Sequence, residues 1–217
     1  MKITVLICTY GRYNLLTRAV NCFLAQTHQE KELIIFNTHP VDINCELPNV
    51  TVINSKDNFK TLGEIRKKAF KFVPKETDYI AFWDDDDIMF PDLLEKLITK
   101  AVQYNLSLIK PKNIYQYTNG KVKLLKCKCE PSCLIKYSPD LRFNIELNTG
   151  EHQWYRDLPI NEFNNNSPLF VIDSSKAGHI TLQTLEYFRK WNNDSGGGKP
   201  IESIDINSIY KQIINLI

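Results

Sequence analysis

Through the first hundred residues, short apolar runs rich in β-branched residues alternate with amphipathic segments, and that alternation leaves few folds open. Residues 2–8 read as a strand buried on both faces. Asn14 is placed to cap the helix that follows, where Leu15, Leu16, Ala19, Val20, Phe23 and Leu24 recur at helical spacing and the pattern stops before His28. Residues 32–36 and 50–53 read as the second and third strands. Thr61 opens a helix with Leu62, Ile65, Ala69 and Phe72 inward and Lys67, Lys68 and Lys71 outward. Residues 79–83 make a fourth strand, and Pro91 starts a helix that buries Leu93, Leu94, Leu97, Ile98, Ala101 and Val102. Strands separated by such helices predict an α/β fold, a mostly parallel central sheet with helices on both faces. Ligands of such sheets bind beyond the carboxyl ends of the strands. Thr9–Arg12, Asn37–His39 and Asp84–Asp87 should therefore share one rim.

The second half reads differently, as a smaller mixed region. A hairpin is expected from Ile114 to Leu125, turning at Asn119-Gly120. Lys110 to Arg142 carries eight Lys or Arg against two Asp or Glu, either a solvated hairpin face or a surface for an acidic partner. Asn164-Asn165-Asn166 and Gly196-Gly197-Gly198 read as loops. The isoleucine-rich end, residues 199–217, reads as a terminal helix suited to docking or to a homodimer contact. The expected organisation is one domain over 1–217, with a first half to 104 and a second half over 105–195.

Composition excludes several classes. A formal net charge of +2, with 43% hydrophobic and 24% charged residues, fits neither a polycation nor a disordered chain. The first apolar run is broken by Thr9, Gly11 and Arg12, too soon for a transmembrane segment, and no cleavage site follows it, so a cytoplasmic protein (host cytoplasm for a viral one) is expected. Cys8 and Cys22 fall on apolar faces and read as buried thiols. Cys127, Cys129 and Cys133 offer three soft ligands without an obvious fourth, so ordinary thiols are preferred to zinc.

Four consecutive aspartates, Asp84 to Asp87, follow the fourth strand directly. Adjacent carboxylates repel one another, and a divalent cation relieves that repulsion. Hard oxygen ligands at a strand end suit Mn²⁺ or Mg²⁺, which in turn bridge to phosphates. The plainer alternative is an acidic loop capping the helix at Pro91, for which Asp87 alone would suffice.

These residues carry a resemblance. Val5-Leu6-Ile7-Cys8-Thr9-Tyr10-Gly11-Arg12, Ala25-Gln26-Thr27-His28 with Lys31-Glu32-Leu33-Ile34-Ile35, Gly63-x2-Arg66, and Phe82-Trp83-Asp84-Asp85-Asp86-Asp87 with Pro91-Asp92-x-Leu94-Glu95 resemble the motifs of family 2 glycosyltransferases of the GT-A fold. The resemblance is specific over residues 2 to about 104 and looser beyond. It implies a Rossmann-like nucleotide-diphospho-sugar transferase fold with a C-terminal acceptor region. Thr9, Tyr10 and Arg12 would line the base and phosphates, Arg66 the phosphates, Asp84 and Asp85 the nucleotide sugar near its ribose, and Asp86 the metal. Asn37 stands where the family usually has an acidic residue facing the base, and an amide both donates and accepts.

The same resemblance places the catalytic base at Gly150-Glu151-His152, with His152 where an Asp is usual; the alternative is a capping Glu and a surface His. Glu151 is slightly favoured, with Asp157 the next candidate. His179, after a late strand, resembles a further metal ligand, or else is a turn residue. Trp154 and Trp191 read as packing residues. The expected activity is metal-dependent sugar transfer, with inversion implied by the resemblance, from a nucleotide sugar (a UDP-sugar first) to a hydroxyl of a glycan, a protein or a modified DNA base. A nucleotidyltransferase is the alternative enzyme, but the segment from Cys8 to Arg12 is short for a triphosphate loop. A catalytically silent nucleotide- or nucleic-acid-binding domain is the alternative outside the enzymes.

Overall fold

The structure, a computed structural model, describes residues 1–85, 87–110, 113–118, 121–126, 133–141, 143 and 179–182. Its larger sheet is built from β1 (Ile3–Thr9), β2 (Lys31–Asn37), β3 (Val50–Asn54), β4 (Tyr79–Asp84), β6 (Leu108–Ile109) and β9 (Leu134–Lys136), in the order β3-β2-β1-β4-β9-β6. β1 pairs in parallel with both β2 and β4, and β2 with β3, while β9 runs antiparallel to β4 and β6. The expected parallel sheet is therefore present, with an antiparallel edge.

Alternation along β1 explains the layering. Ile3, Val5 and Ile7 pack against α1 (Tyr13–Leu24) and α3 (Leu93–Gln103), whereas Leu6 faces Ala69 and Phe70 of α2 (Leu62–Phe70). Helices cover both faces, and β1 is apolar nearly throughout because both of its faces are buried. Cys22 lies in the same core, where burial pushes its thiol pKa up and makes it a poor nucleophile. Among the described residues no helix is long and apolar enough to cross a membrane.

Three residues expected inside are exposed: Leu24, Phe72 and Val102, at 41%, 41% and 48%. Leu24 and Val102 lie at the ends of their helices and Phe72 follows the last turn of its own. Helix starts also differ. α1 begins one residue before Asn14, with Arg12 at the cap position and its carbonyl accepting from Leu15 and Leu16. Thr61 does cap α2, its hydroxyl accepting from Glu64 N at 3.2 Å.

The start of α3 is satisfied from outside. Gln26, buried at the end of α1, accepts from Leu94 N at 3.0 Å through Oε1 and donates through Nε2 to Phe90 O at 2.7 Å and Cys22 O at 3.2 Å. Thr27 N adds a bond to Pro91 O at 2.8 Å. Among the described residues no aspartate side chain caps α3, and Asp87 lies instead in a short strand, β5 (Asp87–Met89).

β5 was not foreseen. It joins β10 (His179–Leu182), β7 (Asn113–Thr118) and β8 (Lys121–Lys126) in a second sheet, in the order β5-β10-β7-β8. β7 and β8 form the expected antiparallel pair, with Thr118 opposite Lys121 across a two-residue connection. Lys112, Lys128 and Arg142 of the basic stretch, with Cys127, Cys129, Glu151, His152, Asp157, Trp154, Trp191 and residues 199–217, lie outside the described residues. Cys133 is described and is buried beside Leu108 and Ile135.

Candidate functional site

The parallel register brings the ends of three strands together. Thr9 lies opposite Asn37 on one side, Cys8 opposite Asp84 on the other. Thr38 N donates to Thr9 O at 3.1 Å, drawing the loop after β2 against the end of β1. The three strand ends expected on one rim, at Thr9, Asn37 and Asp84, do share it.

Burial sorts their residues into two rows. The back row comprises Thr9, Asn37, Arg66 and Asp85, which are 4%, 0%, 3% and 0% exposed. The front row contains Tyr10 at 63% and Tyr13 at 38%. With them are the side chains of Arg12 and Asp84, at 34% and 39%. His39, half-buried, lies among them.

Three of the back-row residues, Asp85, Arg66 and Asn37, each hold a residue of the front in place. Asp85 accepts from Thr9 Oγ1 at 2.6 Å and forms an ion pair with Arg12. Arg66 reaches up from α2 to donate to Asp84 Oδ1 at 2.6 Å. Asn37 spends both amide hydrogens on Val41 O at 2.9 Å and Asn54 Oδ1 at 2.8 Å, while its Oδ1 accepts from His39 N at 3.0 Å.

These contacts revise the sequence reading. Asn37 is fully buried and organises the turn after β2. Asp85 is likewise enclosed, and acts by fixing Thr9 and Arg12. Arg66 and Thr9 sit behind the surface, and Arg66 meets the site through Asp84. The repulsion expected among the carboxylates is relieved in part by the protein itself, since Arg66 neutralises Asp84 and Arg12 neutralises Asp85.

His39 and Tyr13 were not singled out from sequence. Asn37-x-His39 at a strand end is the spacing of an Asx turn, in which an Asn side chain takes the N–H two residues on, and that signal would have pointed to the turn. Gly11 belongs to the same group. Its φ is +69°, and a Cβ there would stand 2.8 Å from His39 Cδ2, so the chain needs glycine both for its backbone and for the ring against it.

The rim's electrostatics are mixed. α1 starts at Tyr13 with no side-chain cap and no acid in its first turn, which leaves the helix's partial positive charge toward the rim beside Arg12. Asp84 supplies one half-exposed carboxylate, and Asp86 lies outside the described residues. Among the described residues no three His, Cys, Asp or Glu side chains converge on a point that could hold a metal ion. The antiparallel register sets Thr181 opposite Asp87 and His179 opposite Met89, so His179 lies toward the end of β5 away from the acidic run. A carboxylate beside a guanidinium and a helix start, with aromatic rings alongside, can bind a divalent cation, a phosphate and a planar ring together.

Comparison with known proteins agrees with this geometry. The family profile described as "Glycosyl transferase family 2" matches residues 4–155. An uncharacterized glycosyltransferase of Nostoc sp. is 29% identical over 103 residues, covering 45% of this chain and 32% of the relative. Another, from Rickettsia felis, is 27% identical over 128 residues, covering 58% and 21%. The chain thus spans about a third or less of the length of the curated relatives it matches. Among solved structures, S. aureus TarS in complex with UDP-GlcNAc superposes with a TM-score of 0.63 at 16% identity, covering 100% of this chain and 66% of that one. TarS in complex with UDP gives 0.57 at 19% identity, covering 70% and 53%. The likeness to TarS establishes the GT-A fold.

Proposed function

The chain belongs to glycosyl transferase family 2, and on that premise we propose that it transfers a sugar from a UDP-sugar to an acceptor hydroxyl. The observation that carries this reading is the half-exposed carboxylate of Asp84, held by buried Arg66 at the carboxyl end of the central strand and flanked by Arg12, Tyr10 and the start of α1. Beyond that, support comes from the UDP and UDP-GlcNAc held by TarS, whose fold this chain shares.

Within the proposal each residue has one task. Tyr10 covers the face of the base, and Arg12 and the first turn of α1 meet the diphosphate. Arg66 and Asp85 are positioning residues that keep Asp84 and Arg12 in their orientations. The donor set fits a hard cation, since Asp84 and Asp86 offer carboxylate oxygens and the remaining positions fall to phosphate and water. Mn²⁺ or Mg²⁺ held there supplies charge neutralisation for the departing diphosphate. Glu151 or His152 takes the acceptor's proton, a role that rests on the sequence motif. The acceptor is a glycan, a protein or a modified base in DNA.

The test is a screen of nucleotide sugars for Mn²⁺-dependent release of nucleoside diphosphate, with and without candidate acceptors. UDP release from a UDP-sugar, falling at least about 10²-fold in Asp84→Asn, is the expected result. Release from no nucleotide sugar under any condition, with the chain folded, would refute the reading.

A further inference from the structure

His39 is the group at the rim whose chemistry the fold fixes and the proposed reading does not yet use. Its Nδ1 accepts from Val41 N at 3.2 Å and lies 2.9 Å from the Tyr13 hydroxyl. A backbone N–H can only donate, so Nδ1 must present its lone pair, and Tyr13 then donates to it as well. The ring proton consequently sits on Nε2. Nε2 carries no hydrogen bond among the described residues, and the ring is half-buried.

The ring cannot turn freely. Its edge packs over Gly11, where a Cβ would come within 3.1 Å of Nε2. Tyr10 and Tyr13 flank it edge-on, with centroids at 5.0 Å and 5.8 Å. Behind it, Asn37 holds the His39 backbone N–H. The fold thus spends three neighbours on presenting one N–H donor next to the most exposed aromatic ring on the rim, Tyr10.

We propose that His39 reads the base of the bound nucleotide, its Nε2–H donating to a ring carbonyl while Tyr10 covers the face of the base. This rests on the nucleotide-sugar reading above. Adenine, with a donating amino group in place of a carbonyl and its accepting ring nitrogens placed differently, pairs this donor less well once water is displaced, and that penalty discriminates between bases. Asn37, though it ends β2, contributes only by holding the loop.

Three probes test this in titrations with Mn²⁺ present: UDP, ADP and inorganic pyrophosphate. Two variants separate the ring's roles. His39→Asn keeps an acceptor near the Nδ1 position and removes the outer donor, whereas His39→Gln extends an amide toward the Nε2 position. Wild type should bind UDP at least about tenfold more tightly than ADP. His39→Asn should lose most of that preference with pyrophosphate affinity unchanged, and His39→Gln should recover part of it. Equal UDP affinity in wild type and His39→Asn would overturn the assignment of His39 and leave the donor site standing. A parallel loss of UDP and pyrophosphate in His39→Asn would also overturn it, by showing a loop-organising role. Wild type that binds neither UDP nor pyrophosphate would remove the underlying reading.

Discussion

The ion pair between Arg12 and Asp85 joins a residue 34% exposed to one that is fully enclosed, and that asymmetry has a measurable consequence. Removing the guanidinium takes a cationic partner from a carboxylate that water does not reach, and breaking a buried pair in this way typically costs about 3–5 kcal/mol. Removing the charge on Asp85 instead leaves an arginine free to turn toward solvent, and only the hydrogen bonds to a charged acceptor are lost, about 1.5–3 kcal/mol. Arg12→Ala should therefore destabilise the fold more than Asp85→Asn, as urea denaturation would show; the reverse order would mean that Asp85 is not enclosed in solution. Sequence alone named both residues, and Thr9, Asn37 and Arg66 with them, but gave all five the same task of touching a ligand. What separates them is burial, set by partners as many as 76 positions away, such as Thr9 against Asp85. No local pattern carries that information.

Helices and strands were legible where a long periodic stripe specified them. The third strand and α2 were placed within a residue or so, because β-branched runs and a Thr cap are local signals. β5 was missed, since three residues directly after an acidic run give no period to read. The seating of α3 was missed for a different reason: its cap comes from Gln26 on another element, 68 residues away. Gln26→Ala should cost at least about 2 kcal/mol, because it strands a buried N–H and two carbonyls at once, and Gln26→Met, which restores the volume, should recover little of it in the same denaturation assay. At the amino end of the sheet, Lys2 bonds Glu32 at 2.9 Å and Glu76 at 3.1 Å, and those carboxylates raise its pKa above the ordinary 10.5. A raised lysine contributes stability that is fully present below its unfolded pKa and is lost as pH rises through the folded one. The stability difference between wild type and Lys2→Met should thus be present at pH 9 and shrink toward pH 12.

Taken together, the sheet delivers an aromatic ring, a guanidinium, a carboxylate and an oriented imidazole to one rim, the last three braced from behind. The α/β architecture and the position of that rim were legible because the strand–helix alternation and the carboxyl-end rule are general properties of parallel sheets, while the GT-A assignment came from the resemblance of the motifs. On the acceptor side the expected base, Glu151 or His152, lies outside the described residues and rests on a short motif in a segment with no strong periodicity. The donor site is where the proposal meets experiment first. Calorimetric titration of UDP should show saturable binding in Mn²⁺ that weakens at least about tenfold with excess EDTA, and equally in Asp86→Ala, a difference of about 1.4 kcal/mol. Equal affinity with and without the chelator, or no UDP binding in either condition, would contradict a metal-assisted nucleotide-sugar site at the carboxyl end of this sheet.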